Sequence, residues 1–208
     1  TSKSKGASHR LGCLTGREKD PYEVFNYLIE SSIRENTDTK FFIPVGDHSE
    51  FDKNPSWKNQ QYRDLINRIA GKFSLGLHHS FKASSDLKVF KTELERLRTI
   101  LKKDFHLSRF HFLKISMPVS YRNINNSGII GDYSMGYPDE PGFRAGIARP
   151  FRFYDVAEDK ITDLRIFPFQ VMDVTLKDYK KMDIVTAKDV IRNLIQQTRK
   201  AGGFFISI

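Results

Sequence analysis

Short apolar runs alternate with amphipathic stretches of helical period along most of this sequence, and that alternation limits the fold more than any other feature. Residues 40–46, Lys40-Phe41-Phe42-Ile43-Pro44-Val45-Gly46, form a brief apolar run closed by glycine, and residues 73–77 form a second. Between them a stretch opening at Ser56 carries Tyr62, Leu65, Ile66 and Ile69 on one face and stops at Gly71. A further helix follows Ser85, with Leu87, Phe90, Leu94, Leu97 and Leu101 as its apolar stripe. Upstream, Asp20-Pro21 opens a helix that reaches about Glu35. Downstream, strands are expected at 109–113, 128–131 and 204–208, and helices at 118–126 and from Thr186, with Asp189 three residues on, to Gly202-Gly203. Helices between short strands require crossover connections, which gives a mostly parallel α/β sheet, open or closed into a barrel. The pattern breaks between Asp132 and Asp173, where the alternating segment 161–166 predicts an antiparallel excursion.

The 208 residues, 39% of them hydrophobic, can bury one sizeable core. One domain is expected over 20–208, preceded by a basic, flexible segment at 1–19 that holds Lys3, Lys5, Arg10, Arg17 and Lys19 against Glu18. No apolar run approaches the ~20 residues of a membrane span, so the chain reads as soluble, with a cytoplasmic or cell-envelope location left open. Cys13 is the sole cysteine, which rules out an intrachain disulfide and a multi-thiolate zinc site. The net charge of +9 suits a polyanion, yet beyond the N-terminus the basic residues are interspersed with acids, so nucleic acid is not the expected partner.

Four segments could carry chemistry. In Gly76-Leu77-His78-His79-Ser80 two histidines follow a short strand, where parallel α/β folds collect ligands. Alternation sends only one of them to a given side, and His78 is either a metal or catalytic group or a hydrogen-bonded structural residue. In Arg109-Phe110-His111, two residues apart on a strand, a guanidinium and an imidazole would project together, for function or merely for pairing with a carboxylate and a carbonyl. If His78 and His111 lie on successive strands they could share a cation and leave positions for water. Asp132, Tyr137 and Arg144 sit in a loop with Gly131, Gly136 and Gly142 that either presents rings and charges to a sugar or is an ordinary glycine-bearing turn. Asp173 either orients a neighbouring group or caps the short helix suggested by Leu176 and Tyr179.

Taken in order, the strings GLHHS, RFHFL, GIIGDYSMGY, GFRAG with Pro150-Phe151, and PFQVMDVTL resemble bacterial polysaccharide deacetylase-like proteins, the NodB-homology group related to carbohydrate esterase family four. The resemblance implies a distorted (β/α) barrel with seven or fewer parallel strands, incomplete over this stretch. It implies hydrolysis of N-acetyl or O-acetyl groups on a polysaccharide or oligosaccharide by a divalent metal, zinc first, with cobalt or nickel as alternatives. His78 matches the first metal histidine. The second is expected four positions on, where Lys82 stands, so His111 is the substitute candidate. Arg109 matches the Arg of the family's Arg-Pro loop, and Asp132 falls where a carboxylate supports that Arg; these two are the catalytic candidates. Tyr137, Arg144 and Asp173 are the substrate-binding ones. The motif supplying an Asp ligand and base is expected upstream of Thr1, and a His-bearing motif beyond Ile208. An inactive carbohydrate-binding domain on the same fold, or a polyanion-binding protein, are the alternatives.

Overall fold

The computed structural model describes residues 11–13, 15–18 and 24–208, and the chain divides into two compact units, Thr1–Thr39 and Lys40–Ile208. Most of the basic segment at 1–19 and the Asp20-Pro21 helix start lie outside the described residues. In the first unit helix α1 spans Phe25–Arg34. Asn36 then takes a positive φ of 50°, and the Thr39 hydroxyl returns to Ser32 Oγ at 2.9 Å.

The second unit runs β1 (Lys40–Ile43), α2 (Gln60–Ala70), β2 (Ser74–His79), α3 (Leu87–Leu101), β3 (Leu107–Phe110), α4 (Val119–Asn125), β4 (Gly131–Asp132), β5 (Phe151–Asp155), β6 (Lys160–Ile166) and α5 (Ile184–Lys200). The strands form one sheet in the order β1-β2-β3-β4-β6-β5. Its pairs are parallel except β5 with β6, the antiparallel excursion that the alternation at 161–166 implied. The fold is therefore the mostly parallel α/β arrangement expected, with crossovers through α2, α3 and α4.

The helix starts differ from expectation by a few residues, for one reason. The capping side chains are Asn59, Asp86 and Asp183, each accepting amide hydrogen bonds from the first turn, rather than Ser56, Ser85 and Thr186. The Ser85 hydroxyl donates back to Lys82 O and Thr186 Oγ1 to Asp183 Oδ2, so both turn away from the first-turn amides. Leu87 is consequently the first helical residue of α3 and is exposed, and the buried stripe begins at Phe90. Ile66 and Ile69 of α2, Phe90, Leu94, Leu97 and Ile100 of α3, and Leu75 and Leu77 of β2 form the core between these helices and the sheet.

Several expected strands are shifted. β2 continues through His79, so both histidines belong to the strand instead of following it. The expected strand at 128–131 begins only at Gly131, because Gly128 has φ of 83° and the amides of Ile130 and Gly131 both donate to His106 O. The last apolar segment forms an isolated parallel bridge, Val171 with Ser207, since Ile206 N–H is taken by the Gln170 side chain. Its Ile206 and Ile208 pack on Leu113, Phe169 and Met172. Among the described residues no helix is long and apolar enough to cross a membrane.

Candidate functional site

The C-terminal ends of β1, β2 and β3 lie side by side, and the loops leaving them build a cleft of about 360 Å³ lined by Pro44, Phe51, Asp52, Asn54, His78 and His111 among others. His78 reaches it through strand alternation. Parallel partners share a face, so His78 projects with Arg109 from one side of the sheet, and His79 with Phe110 from the other. His79 is accordingly fully buried under α3, its ring stacked between Phe90 and Phe110 at 4.4 and 4.7 Å, with Nδ1 3.7 Å from the buried Glu93 carboxylate. Burial lowers the His79 pKa.

His111 arrives by a different route from the one alternation suggested. β3 ends at Phe110, and His111–Leu113 forms a tight turn in which Phe112 and Leu113 have φ of 54° and 52°. The shared-face argument for Arg109 and His111 therefore fails, because it holds only inside a strand. The turn brings the His111 ring to 5.0 Å from that of His78, centroid to centroid, while the Arg109 side chain places Nη2 3.4 Å from Met172 Sδ.

Asp52, in the loop that follows β1, is the carboxylate of this cluster. It is buried, and its Oδ1 accepts Nδ1–H of His111 at 2.8 Å and the amide of Phe81 at 3.1 Å. Its Oδ2 accepts the Ser49 hydroxyl at 2.8 Å. Burial alone would raise its pKa, and these hydrogen bonds, that from His111 foremost, outweigh it and hold the carboxyl below its ordinary value. The loop is tied down at several points. Arg96 donates to Val45 O and pairs with Asp47, Asn54 donates to Gly46 O, and Tyr62 donates to Pro44 O. Gly46 is required, since a Cβ there would stand 2.9 Å from both Glu93 Oε1 and Ser80 Cβ. The cue in the sequence was positional: Asp52 follows β1 as the histidines end β2, and Ser49 three residues earlier closes a side-chain turn on it.

Both cleft imidazoles are held at Nδ1, His78 by Arg109 O at 3.2 Å and His111 by Asp52. Such contacts fix the ring and leave Nε2 as the available lone pair. Burial first, then the neighbouring Arg109 charge, lowers the His78 pKa to about 3, so this ring is neutral at working pH. Two oriented nitrogen donors suit zinc, but catalytic zinc ordinarily has three protein ligands. No group of three His, Cys, Asp or Glu side chains able to hold a metal exists among the described residues. Asp52 is already engaged by His111, Ser49 and Phe81, and Lys82 points elsewhere, exposed and paired with Asp86. The described residues thus do not make a complete metal centre by themselves.

The other predicted residues do not line this cleft. Asp132, fully buried, accepts Ser134 N at 2.9 Å and Ser134 Oγ at 3.0 Å, and burial pushes its pKa up to about 6 despite those bonds and the Arg109 charge. Register places Asp132 beside Ser108, on the sheet face opposite His78 and Arg109. Burial brings Arg109 down to about 10, opposed by the charges of Asp132 and Asp173. Asp173 does not cap: its Oδ1 takes the Val174 amide at 2.6 Å, and the turn Thr175–Tyr179 has no side-chain cap. Arg144 Nη1 donates to Gly136 O at 3.1 Å, and Tyr137 is 41% exposed.

Solved structures are similar to this chain. One is a candidate polysaccharide deacetylase from Mycobacterium smegmatis, 14% identical, with a TM-score of 0.61 over 99% of this chain and 70% of that one. Another, from Bordetella bronchiseptica, is described as a candidate polysaccharide deacetylase involved in O-antigen biosynthesis; it is 16% identical with a TM-score of 0.48, and covers 77% of this chain. This chain spans 58% of the Bordetella protein's length. No protein-family profile and no curated protein matches the sequence. The Mycobacterium likeness establishes the fold as that of a polysaccharide deacetylase-like protein.

Proposed function

We propose that this chain forms part of a hydrolase that removes acyl groups from a polysaccharide, and that its reactive centre is the Asp52–His111–His78 cluster. The observation that carries this reading is the buried carboxylate holding His111 at 2.8 Å beside a second, neutral imidazole, in a cleft at the C-terminal sheet edge. Support comes also from the fold shared with the Mycobacterium protein. Acyl hydrolysis needs a water deprotonated as it attacks and a proton returned to the leaving amine or alcohol. His111 suits that task, because Asp52 fixes its tautomer and stabilises the protonated ring as it forms. His78, kept neutral, suits an acceptor role at Nε2.

His78 and His111 are the nitrogen donors that would hold a divalent metal, zinc first; a bound metal would take their Nε2 lone pairs, so the acid–base role of His111 is proposed for the cluster without it. The second reading, a saccharide-binding domain without turnover, is favoured by that incomplete donor set. Acetate release from N-acetylated oligosaccharides by the full-length protein, with zinc or cobalt supplied, separates the two. The hydrolase reading expects release that is lost in His111→Ala. Saccharide binding without any acetate would leave only the binding reading.

A further inference from the structure

Three phenylalanines stand together at the mouth of the cleft. Phe51 is 43% and Phe112 52% exposed, and Phe81 lies half-buried beneath them. The Phe51 and Phe81 rings stack at 4.2 Å, and Phe112 meets both edge-on at 6.0 and 5.8 Å. The group adjoins the reactive cluster on two sides. Phe51 precedes Asp52 and lines the cleft itself, and the Phe112 ring lies 4.4 Å from the His111 ring. Lys114 completes it, with Nζ 3.8 Å above the Phe81 ring.

Contiguous exposed apolar rings mark interaction surfaces where scattered single ones do not, and here the backbone itself is bent to hold one outward. Phe112 and Leu113 are successive non-glycine residues at φ of 54° and 52°, a conformation that side chains with a Cβ rarely adopt. Through this turn Leu113 enters the core beside Phe169 and Met172, His111 meets Asp52, and Phe112 faces solvent. Strain of this kind concentrates where a site needs a particular arrangement.

We propose that Phe51 and Phe112, backed by Phe81, are a stacking subsite for a pyranose ring of the substrate glycan, set beside the acyl group to be removed. The proposal rests on the hydrolase reading of the same cleft. A saccharide fits better than a protein helix. The apolar surface is small and passes directly into polar groups, the Asp52, Asn54, His78 and His111 side chains, as the apolar C–H face and hydroxyl edge of a pyranose require. Lys114 and Lys53 at the margins would favour a glycan carrying carboxylates or phosphates over a neutral one.

The test is binding of the full-length protein to an array of N-acetylated neutral and acidic glycans, comparing wild type with Phe51→Ala, Phe112→Gly and His111→Asn. Phe112→Gly is chosen because glycine accepts the positive φ, so the turn keeps its shape while the ring is lost. Each phenylalanine change is expected to weaken glycan binding about tenfold, and His111→Asn to release no acetate. Unchanged binding in both phenylalanine variants overturns the subsite, whatever the turnover. Failure of wild type to bind any glycan, with sedimentation showing dimers that Phe112→Gly dissociates, also overturns it by making the platform a self-association surface. If instead His111→Asn releases acetate normally, the hydrolase reading fails while the phenylalanine effect on binding stands on its own.

Discussion

Asp52→Ala removes the acceptor of three donors at once, which makes it the most informative single change. In wild type the buried carboxylate receives the His111 ring, the Phe81 amide and the Ser49 hydroxyl. Ser49 can turn to solvent, since it is exposed. The Phe81 amide and the His111 Nδ1–H are left without this partner, and each unsatisfied buried donor costs about 1–3 kcal/mol. Partial access of water to His111 argues for the lower end, giving about 2–3 kcal/mol in all. For a unit of this size that corresponds to a fall in Tm of about 4–12 °C. The sign with pH follows from the depressed carboxyl. A group whose folded pKa lies below its unfolded value stabilises above the unfolded value, and that stability is lost as pH falls through the folded one. Urea denaturation of wild type and Asp52→Ala at pH 7 and again stepwise below pH 4 therefore reads both effects, with the two proteins converging as the medium becomes acid. Equal midpoints at pH 7, or a stability gap that persists unchanged into acid, would refute the assignment of Asp52 as the buried anchor of His111.

Other consequences are more local. Gly136→Ala would put a Cβ 2.2 Å from the fully buried Phe169 ring, so a loss of about 1–3 kcal/mol by urea denaturation is expected, and an unchanged midpoint would show the loop to be loosely packed. Phe90→Ala opens a cavity against His79 and should cost about 3–5 kcal/mol in the same assay. Asp132 titrates in the other direction from Asp52. Burial raises it to about 6, so its contribution is full below the unfolded value and fades as pH rises through about 6. The stability of wild type relative to Asp132→Asn should accordingly increase on going from pH 7.5 to pH 4.5; a difference independent of pH would contradict it.

The parts of the fold that were legible in the sequence are those set by periodicity. The stripe on α3 from Phe90 to Leu101, the stop of α2 at Gly71 and the antiparallel pair ending at Ile166 all follow from apolar spacing and turn residues. What escaped were the places where side chains compete with the backbone or the chain leaves regular geometry. Asn59, Asp86 and Asp183 win their caps over nearby hydroxyl residues by reaching the amides of the first turn. The turn at Phe112 and Leu113 defeats period-two reasoning, and with it the pairing of His111 with Arg109. Within the site, the proximity of His78 and His111 was anticipated from strand neighbourhood, and β2 and β3 are indeed adjacent. Asp52 was missed because its loop has no apolar pattern, and its burial depends on contacts from Phe81, 29 residues later, and His111, 59 residues later.

The most direct measurement is the rate of acetate release from an N-acetylated oligosaccharide by the full-length protein and by His78→Ala, His111→Ala and Asp52→Asn, each first shown to be folded. If the Asp52–His111–His78 cluster is the reactive centre, the rate falls by about 10²–10⁴ in each variant, the range for losing an acid–base group. Folded His78 and His111 variants that release acetate at the wild-type rate would place the chemistry elsewhere and contradict the account.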